Sequence, residues 1–215
     1  MDGTLVDTEP YWMATEVELA EEYGAPWTTD DAMSLVGSSL LASGRYIRER
    51  MGLPLTAEQV VDRLLDGVVA RVGHAVPWLP GARELLLGLH AAGVPCGLVT
   101  MSYQRFVGPI LEHLPGETFR VVVTGEVVEL GKPHPEPYLT AAAALGVAPR
   151  DCVAIEDSAT GATSAAAAGC RVLVVPHHVD VPPARGLSFR ESLVGVTVDD
   201  LGLLPDRDLP QGDLR

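Results

Sequence analysis

The 215 residues carry 15 Lys and Arg against 29 Asp and Glu, a net charge of −14, with 47% hydrophobic and 20% charged residues. This composition excludes a disordered chain, and the acidic balance argues against nucleic acid or an anionic membrane as partner. A chain of this length forms one domain or a core with a modest insert, and buries about 70% of its unfolded surface without needing disulfide or metal staples.

The first ten residues hold Asp2, Asp7 and Glu9 and no apolar core, so they do not read as a signal peptide. No run approaches the roughly 18 apolar residues of a membrane span. The first half is helical. Residues 9–23 form an amphipathic pattern, with Thr8 as N-cap, Pro10 in the first turn and Gly24 as terminator. Residues 39–51 and 56–72 predict two more helices, the second opened by the capping-box pattern Thr56-Ala57-Glu58-Gln59. From residue 78 the chain alternates. Helices are predicted at 82–92, 103–114, 136–145 and 158–168, and strands at 94–100, 119–124, 152–155 and 171–175, with a further strand near 194–198. Strands alternating with helices of this length make βαβ units and a parallel sheet covered on both faces. Cys96, Cys152 and Cys170 each lie in or beside an apolar run and read as buried free thiols, and the lack of a disulfide framework points to a reducing, cytoplasmic setting.

Several apolar runs end in polar residues: Gly97-Leu98-Val99 in Thr100, Val121-Val122-Val123 in Thr124, and Val153-Ala154-Ile155 in Glu156-Asp157. Ligands of open parallel sheets bind outside the carboxyl ends of the strands, so these groups share one rim. Each has a plainer reading. The threonines can simply end strands, Asp157 or Ser158 can cap the next helix, and Lys132 of Gly131-Lys132-Pro133-His134-Pro135 can be an exposed turn residue. Glu156 is harder to explain that way. Two adjacent carboxylates repel unless a cation or hydrogen-bond donors offset the charge, and hard oxygen donors suit Mg²⁺. The six histidines show no metal-ligand spacing, and His177-His178 reads as surface loop.

The opening Asp2-Gly3-Thr4-Leu5-Val6-Asp7-Thr8-Glu9, followed in order by Thr100, Lys132 and Glu156-Asp157, resembles the haloacid dehalogenase-like phosphohydrolases over nearly the whole chain. Asp7-Thr8-Glu9-Pro10-Tyr11-Trp12 and the stretch from Cys152 to Ser158 are most similar to its sugar-phosphate phosphatase and β-phosphoglucomutase-like branch. The resemblance implies an α/β fold with a Rossmann-like parallel-sheet core (1–9 and 78–215) and a small α-helical cap (10–77) inserted after the first motif. It implies Asp2 as general acid/base and Lys132 as charge compensator. Gly3, Thr100, Met101, Ser102 and Lys132 would bind phosphate, and Asp2, Glu156 and Asp157 would hold Mg²⁺. The expected partner is a small phosphorylated metabolite, with no nucleic acid and no membrane, and the expected state is a monomer.

The family motif is Asp-x-Asp-Gly-Thr, and its first Asp is the nucleophile that forms an aspartyl-phosphate. Here that residue would precede Met1, so the sequence as written is expected to turn over little or no substrate. It also lacks the apolar strand that leads into the motif, which would leave the inner edges of the strands at 94–100 and 152–155 unpaired. The economical expectation is an internal methionine taken as the start; the rivals are a non-catalytic phosphate- and metal-binding protein and a phosphomutase. The mutase branch has a histidine near the start of the cap and an arginine after a Gly-x-Ser segment. Trp12 and Leu40, after Gly37-Ser38-Ser39, stand there instead, which favours a phosphatase acting on a small sugar or polyol phosphate. On residue type alone, Trp12 fits better as a cap-core anchor.

Overall fold

The computed structural model describes residues 1–35 and 38–202, so Gly37 of the cap segment lies outside the described residues. The elements are α1 (Glu9–Tyr23), α2 (Thr29–Met33), α3 (Leu40–Met51), α4 (Ala57–His74), α5 (Ala82–Ala91), β1 (Gly97–Val99), α6 (Gln104–Leu111), β2 (Val121–Val123), α7 (Glu136–Leu145), β3 (Val153–Glu156), α8 (Ala159–Ala168), β4 (Arg171–Val174), β5 (Leu187–Phe189) and α9 (Val198–Gly202). They divide into two units. One comprises Met1–Asp7, Trp78–Val107 and Leu111–Arg215, and the other Thr8–Pro77 with Gly108–Ile110.

The helical unit starts at α1, which Gly24 ends in a left-handed conformation while its N–H returns to Ala20 and Glu21 carbonyls. Thr8 occupies the N-cap position but its backbone is helical and its side chain makes no capping bond, a departure from the expected cap. Thr56 and Gln59 form the reciprocal capping box that their spacing predicts. The short α2 was not legible from periodicity, because five residues are too few to show one. It rests on a second capping box between Thr28 and Asp31. Asp31 also accepts both Arg50 Nε (2.8 Å) and Nη2 (3.0 Å) and the Tyr46 hydroxyl (3.0 Å), which ties α2 to α3. Leu19, Ile47, Val60 and Leu64 make the apolar centre of this unit, and Trp12 packs against it.

The α/β unit contains five parallel strands in two sheets: β1 beside β2, and β3–β4–β5 in that order. Helix α7 packs against β1 and β2, and α8 against β3 and β4. Runs of alanine in α7 and α8 let each helix approach its sheet closely. β5 was not foreseen, and the strand expected near 194–198 does not form. Thr197 and Asp200 instead bond reciprocally through backbone and side chain, which starts α9. Of the three cysteines only Cys170 is fully buried; Cys96 and Cys152 are half-buried, and all three are free. Among the described residues no helix is long and apolar enough to cross a membrane.

The ladders show which backbone groups of β1 and β3 turn away from their partner strands. Arg120 N–H donates to Cys96 O and Thr100 N–H to Val123 O, so the alternation of a parallel pair turns the backbone groups of Gly97 and Val99 away from β2. Arg171 N–H to Cys152 O and Val175 N–H to Glu156 O likewise turn those of Val153 and Ile155 away from β4. β1 and β3 both line an apolar cavity of about 420 Å³, closed by Leu86 and Leu89 of α5 and Ala141 of α7, with Met1 and Leu5 also in its wall.

Candidate functional site

The carboxyl ends of β1 and β3 carry Thr100 and Glu156, and the N-terminal turn reaches both. Gly3 has φ +73°, a conformation that glycine takes without strain. A Cβ there would stand 2.2 Å from Asp157 Oδ2, so only glycine lets the turn lie against that carboxylate. Thr4 Oγ1 donates to Asp157 Oδ1 at 2.8 Å, and Ser102 Oγ donates to Asp2 Oδ2 at 3.0 Å. The Ser102 N–H donates to Thr100 Oγ1 at 3.1 Å, which leaves the Thr100 hydroxyl hydrogen available to another acceptor. Met101 lies where β-carbons at Gly125 and Gly131 would collide with its carbonyl oxygen (2.6 Å) and Sδ (2.8 Å).

Lys132 is not a turn residue in solvent. Its side chain is 10% exposed, its Nζ bonds Glu156 Oε1 at 2.5 Å and Val99 O at 3.2 Å, and Glu156 is 4% exposed. Removing either member of such a buried pair strands the other charge. The approach to Lys132 is held by Glu136, whose carboxylate accepts the N–H groups of Glu129 (2.8 Å) and Leu130 (3.0 Å). The choice between Asp157 and Ser158 as helix cap is resolved by geometry. Ser158 accepts the Gly161 N–H at 3.2 Å, and Asp157 is held by Thr4 instead.

Asp2, Gly3, Thr4, Thr100, Ser102, Lys132, Glu156 and Asp157 are therefore joined by direct contacts, although they come from four stretches of sequence. Thr124, also weighed as a rim residue, is buried at the end of β2. One participant escaped the sequence reading: Tyr138 of α7, whose hydroxyl donates to Glu156 Oε1 and whose ring lies 5.2 Å below Lys132 Nζ. Its only signal was a tyrosine on an otherwise alanine-rich helix six residues after Lys132. Burial first, and then the Glu156 charge, push its phenol well above the usual range, so it stays a proton donor at working pH. Burial, followed by the Lys132 ammonium, holds the Met1 α-amino group below its usual value, against the pull of Asp2, Glu156 and Asp157.

Glu156 and Asp157 have separate surroundings. Glu156 Oε1 is shared by Lys132 and Tyr138, and its Oε2 fills the space beside Gly161, where a Cβ would stand 2.0 Å away. Asp157 is less buried, and Thr4 holds it against the Asp2-Gly3 turn. Glu156 and Asp157 offer hard oxygen donors, the ligand type that Mg²⁺ takes.

The chain is 32% identical to hexitol phosphatase B of Escherichia coli O157:H7, over 97% of this chain and 93% of that protein. It is also 32% identical to phosphoglycolate phosphatase of Salmonella paratyphi A, over 99% of this chain and 92% of that protein. The fold superposes on CbbY from Rhodobacter sphaeroides in complex with xylulose-(1,5)bisphosphate with a TM-score of 0.80 at 23% identity, over 94% of this chain and 96% of that one. Residues 1–175 match the haloacid dehalogenase-like hydrolase family, and with the shared identity to two of its phosphatases they establish that this chain belongs to it.

Proposed function

We propose that this rim, completed by an Asp at the motif position before Met1 as the nucleophile, hydrolyses the phosphate monoester of a small sugar or polyol through an aspartyl-phosphate, with Mg²⁺ as cofactor. The observation that carries the reading is the convergence of Asp2, Thr100, Ser102 and Lys132 at the ends of β1 and β3. Asp2 protonates the leaving oxygen and afterwards takes a proton from the attacking water. The Thr100 hydroxyl and the backbone N–H groups of Met101 and Ser102 orient the phosphoryl oxygens, and the Lys132 ammonium offsets their charge. Asp157, Glu156 and the Asp2 backbone carbonyl would hold Mg²⁺, which when bound compensates the negative charge of phosphoryl group and carboxylates. Positioning and charge compensation of this kind do most of the work in phosphoryl transfer. Trp12 and Leu40, where the mutase branch places polar groups, favour hydrolysis over mutation, and the 32% identities to a hexitol phosphatase and to a phosphoglycolate phosphatase support a small phosphate ester.

A second reading of the same rim is phosphate and metal binding without turnover. One experiment separates the two. The 215-residue chain and a form extended before Met1 by an apolar segment ending in Asp are assayed with Mg²⁺ on a panel of hexitol, sugar and glycolate phosphates. Phosphate release by the extended form alone supports the hydrolase. Inactivity of both supports the binding protein.

A further inference from the structure

The histidine pair that shows no ligand spacing in sequence acquires a partner in the fold. After β4 the chain passes Pro176 and bends at His178, which sets two consecutive imidazoles side by side, their centroids 4.0 Å apart. Both face Asp7, 170 residues earlier. His178 Nε2 lies 3.1 Å from Asp7 Oδ1, and His177 Nε2 lies 3.6 Å from Asp7 Oδ2. One ligand atom from each of the three lies within 4.8 Å of the others. A tetrahedral ion bonded at 2.0–2.1 Å needs its ligands about 3.3 Å apart, so small side-chain rotations close the set.

We infer that Asp7, His177 and His178 form a three-ligand site for a divalent late transition metal, Zn²⁺ above all, with solvent in the fourth position. The donor types carry the selectivity. Imidazole nitrogen suits zinc, copper and nickel, whereas Mg²⁺ prefers an all-oxygen shell such as the rim around Asp157. Partial exposure of all three side chains, between 27% and 37%, leaves the ion a route in and room for water. A single carboxylate with two neutral imidazoles gives the site a charge of −1, which a divalent cation reverses rather than leaving a buried excess. The two segments it would join are far apart in sequence. One is the N-terminal stretch that begins with Asp2, and the other is the loop leaving β4. An ion bound there recognises the folded chain alone, so its binding appears as added stability.

The test uses the untagged, metal-stripped 215-residue protein. Zn²⁺ is titrated by calorimetry, and Co²⁺ is added separately to read the visible absorption of a tetrahedral site. The expected results are one saturable Zn²⁺ per chain, a rise in melting temperature with zinc but not with magnesium, and a loss of affinity of about tenfold or more in both His177→Ala and His178→Ala. His90→Ala, far from the cluster in sequence, serves as the control and keeps full affinity. Both histidines are partly exposed, and the melting temperatures of the metal-free variants establish that they fold. Absence of saturable binding, or binding that survives loss of either imidazole, overturns the assignment.

Discussion

Tyr138 shows what a single buried hydroxyl contributes. Its O–H is directed at the carboxylate that also pairs with Lys132. A hydrogen bond to a charged acceptor is worth more than one between neutral groups. Tyr138→Phe keeps the ring under Lys132 and removes only the donor. Urea denaturation is expected to show a loss of about 2 kcal/mol, and a loss within error of zero would mean that Glu156 is satisfied by lysine alone. Glu16 offers a residue-scale test by pH. It is buried on α1, its Oε2 accepts Trp27 Nε1–H at 3.3 Å, and burial raises its pKa from 4.5 to about 7. Between those values the folded state binds the proton that the unfolded state has released. The stability Glu16 contributes is therefore complete below pH 4.5 and lost as pH rises through 7. Glu16→Gln is expected to flatten that fall and to be the more stable protein at pH 8, by roughly 3 kcal/mol. Equal slopes for the two proteins between pH 5 and about 8 would show that Glu16 titrates normally.

At the scale of elements, legibility followed the length of the pattern. Helices α1, α7 and α8 announced themselves through terminal glycines and α4 through its periodicity, and Thr56 and Gln59 marked their cap by spacing alone. β5 and α2 did not, because three and five residues carry no period. β1 is also shorter than its apolar run suggests: residues 94–96 are not strand, and only Gly97–Val99 pairs with β2. The site residues at strand ends were readable because a polar residue closing an apolar run is a local signal. Tyr138 and the Asp7–His177–His178 cluster were not. Their meaning lies in neighbours across the fold, and nothing in the local sequence distinguishes a buried tyrosine donor from an ordinary core tyrosine.

Among the described residues the strands form two sheets rather than one continuous sheet. β1 and β3 turn the backbone groups of Gly97, Val99, Val153 and Ile155 away from their partners, and both strands border the same apolar cavity. One of the exposed carbonyls, Val99 O, is taken up by Lys132. A short apolar strand fused before Met1 is expected to pair with both edges and fill the cavity. In differential scanning calorimetry this extended chain is predicted to melt at least about 5 °C higher, given roughly 2–4 °C per kcal/mol for a chain of this size. An unchanged melting temperature would mean that the cavity does not accept a strand. The same extension carries the test of function, because it supplies an Asp at the motif position that precedes Met1. The most direct measurement is Mg²⁺-dependent release of inorganic phosphate from a hexitol phosphate by the extended chain and by its Asp2→Asn variant. The proposed roles predict turnover by the first and a loss of 10² to 10⁴, an order-of-magnitude figure, in the second with the fold intact. Equal rates from the two would contradict the assignment of Asp2, and with it the reading of this rim as a phosphatase site.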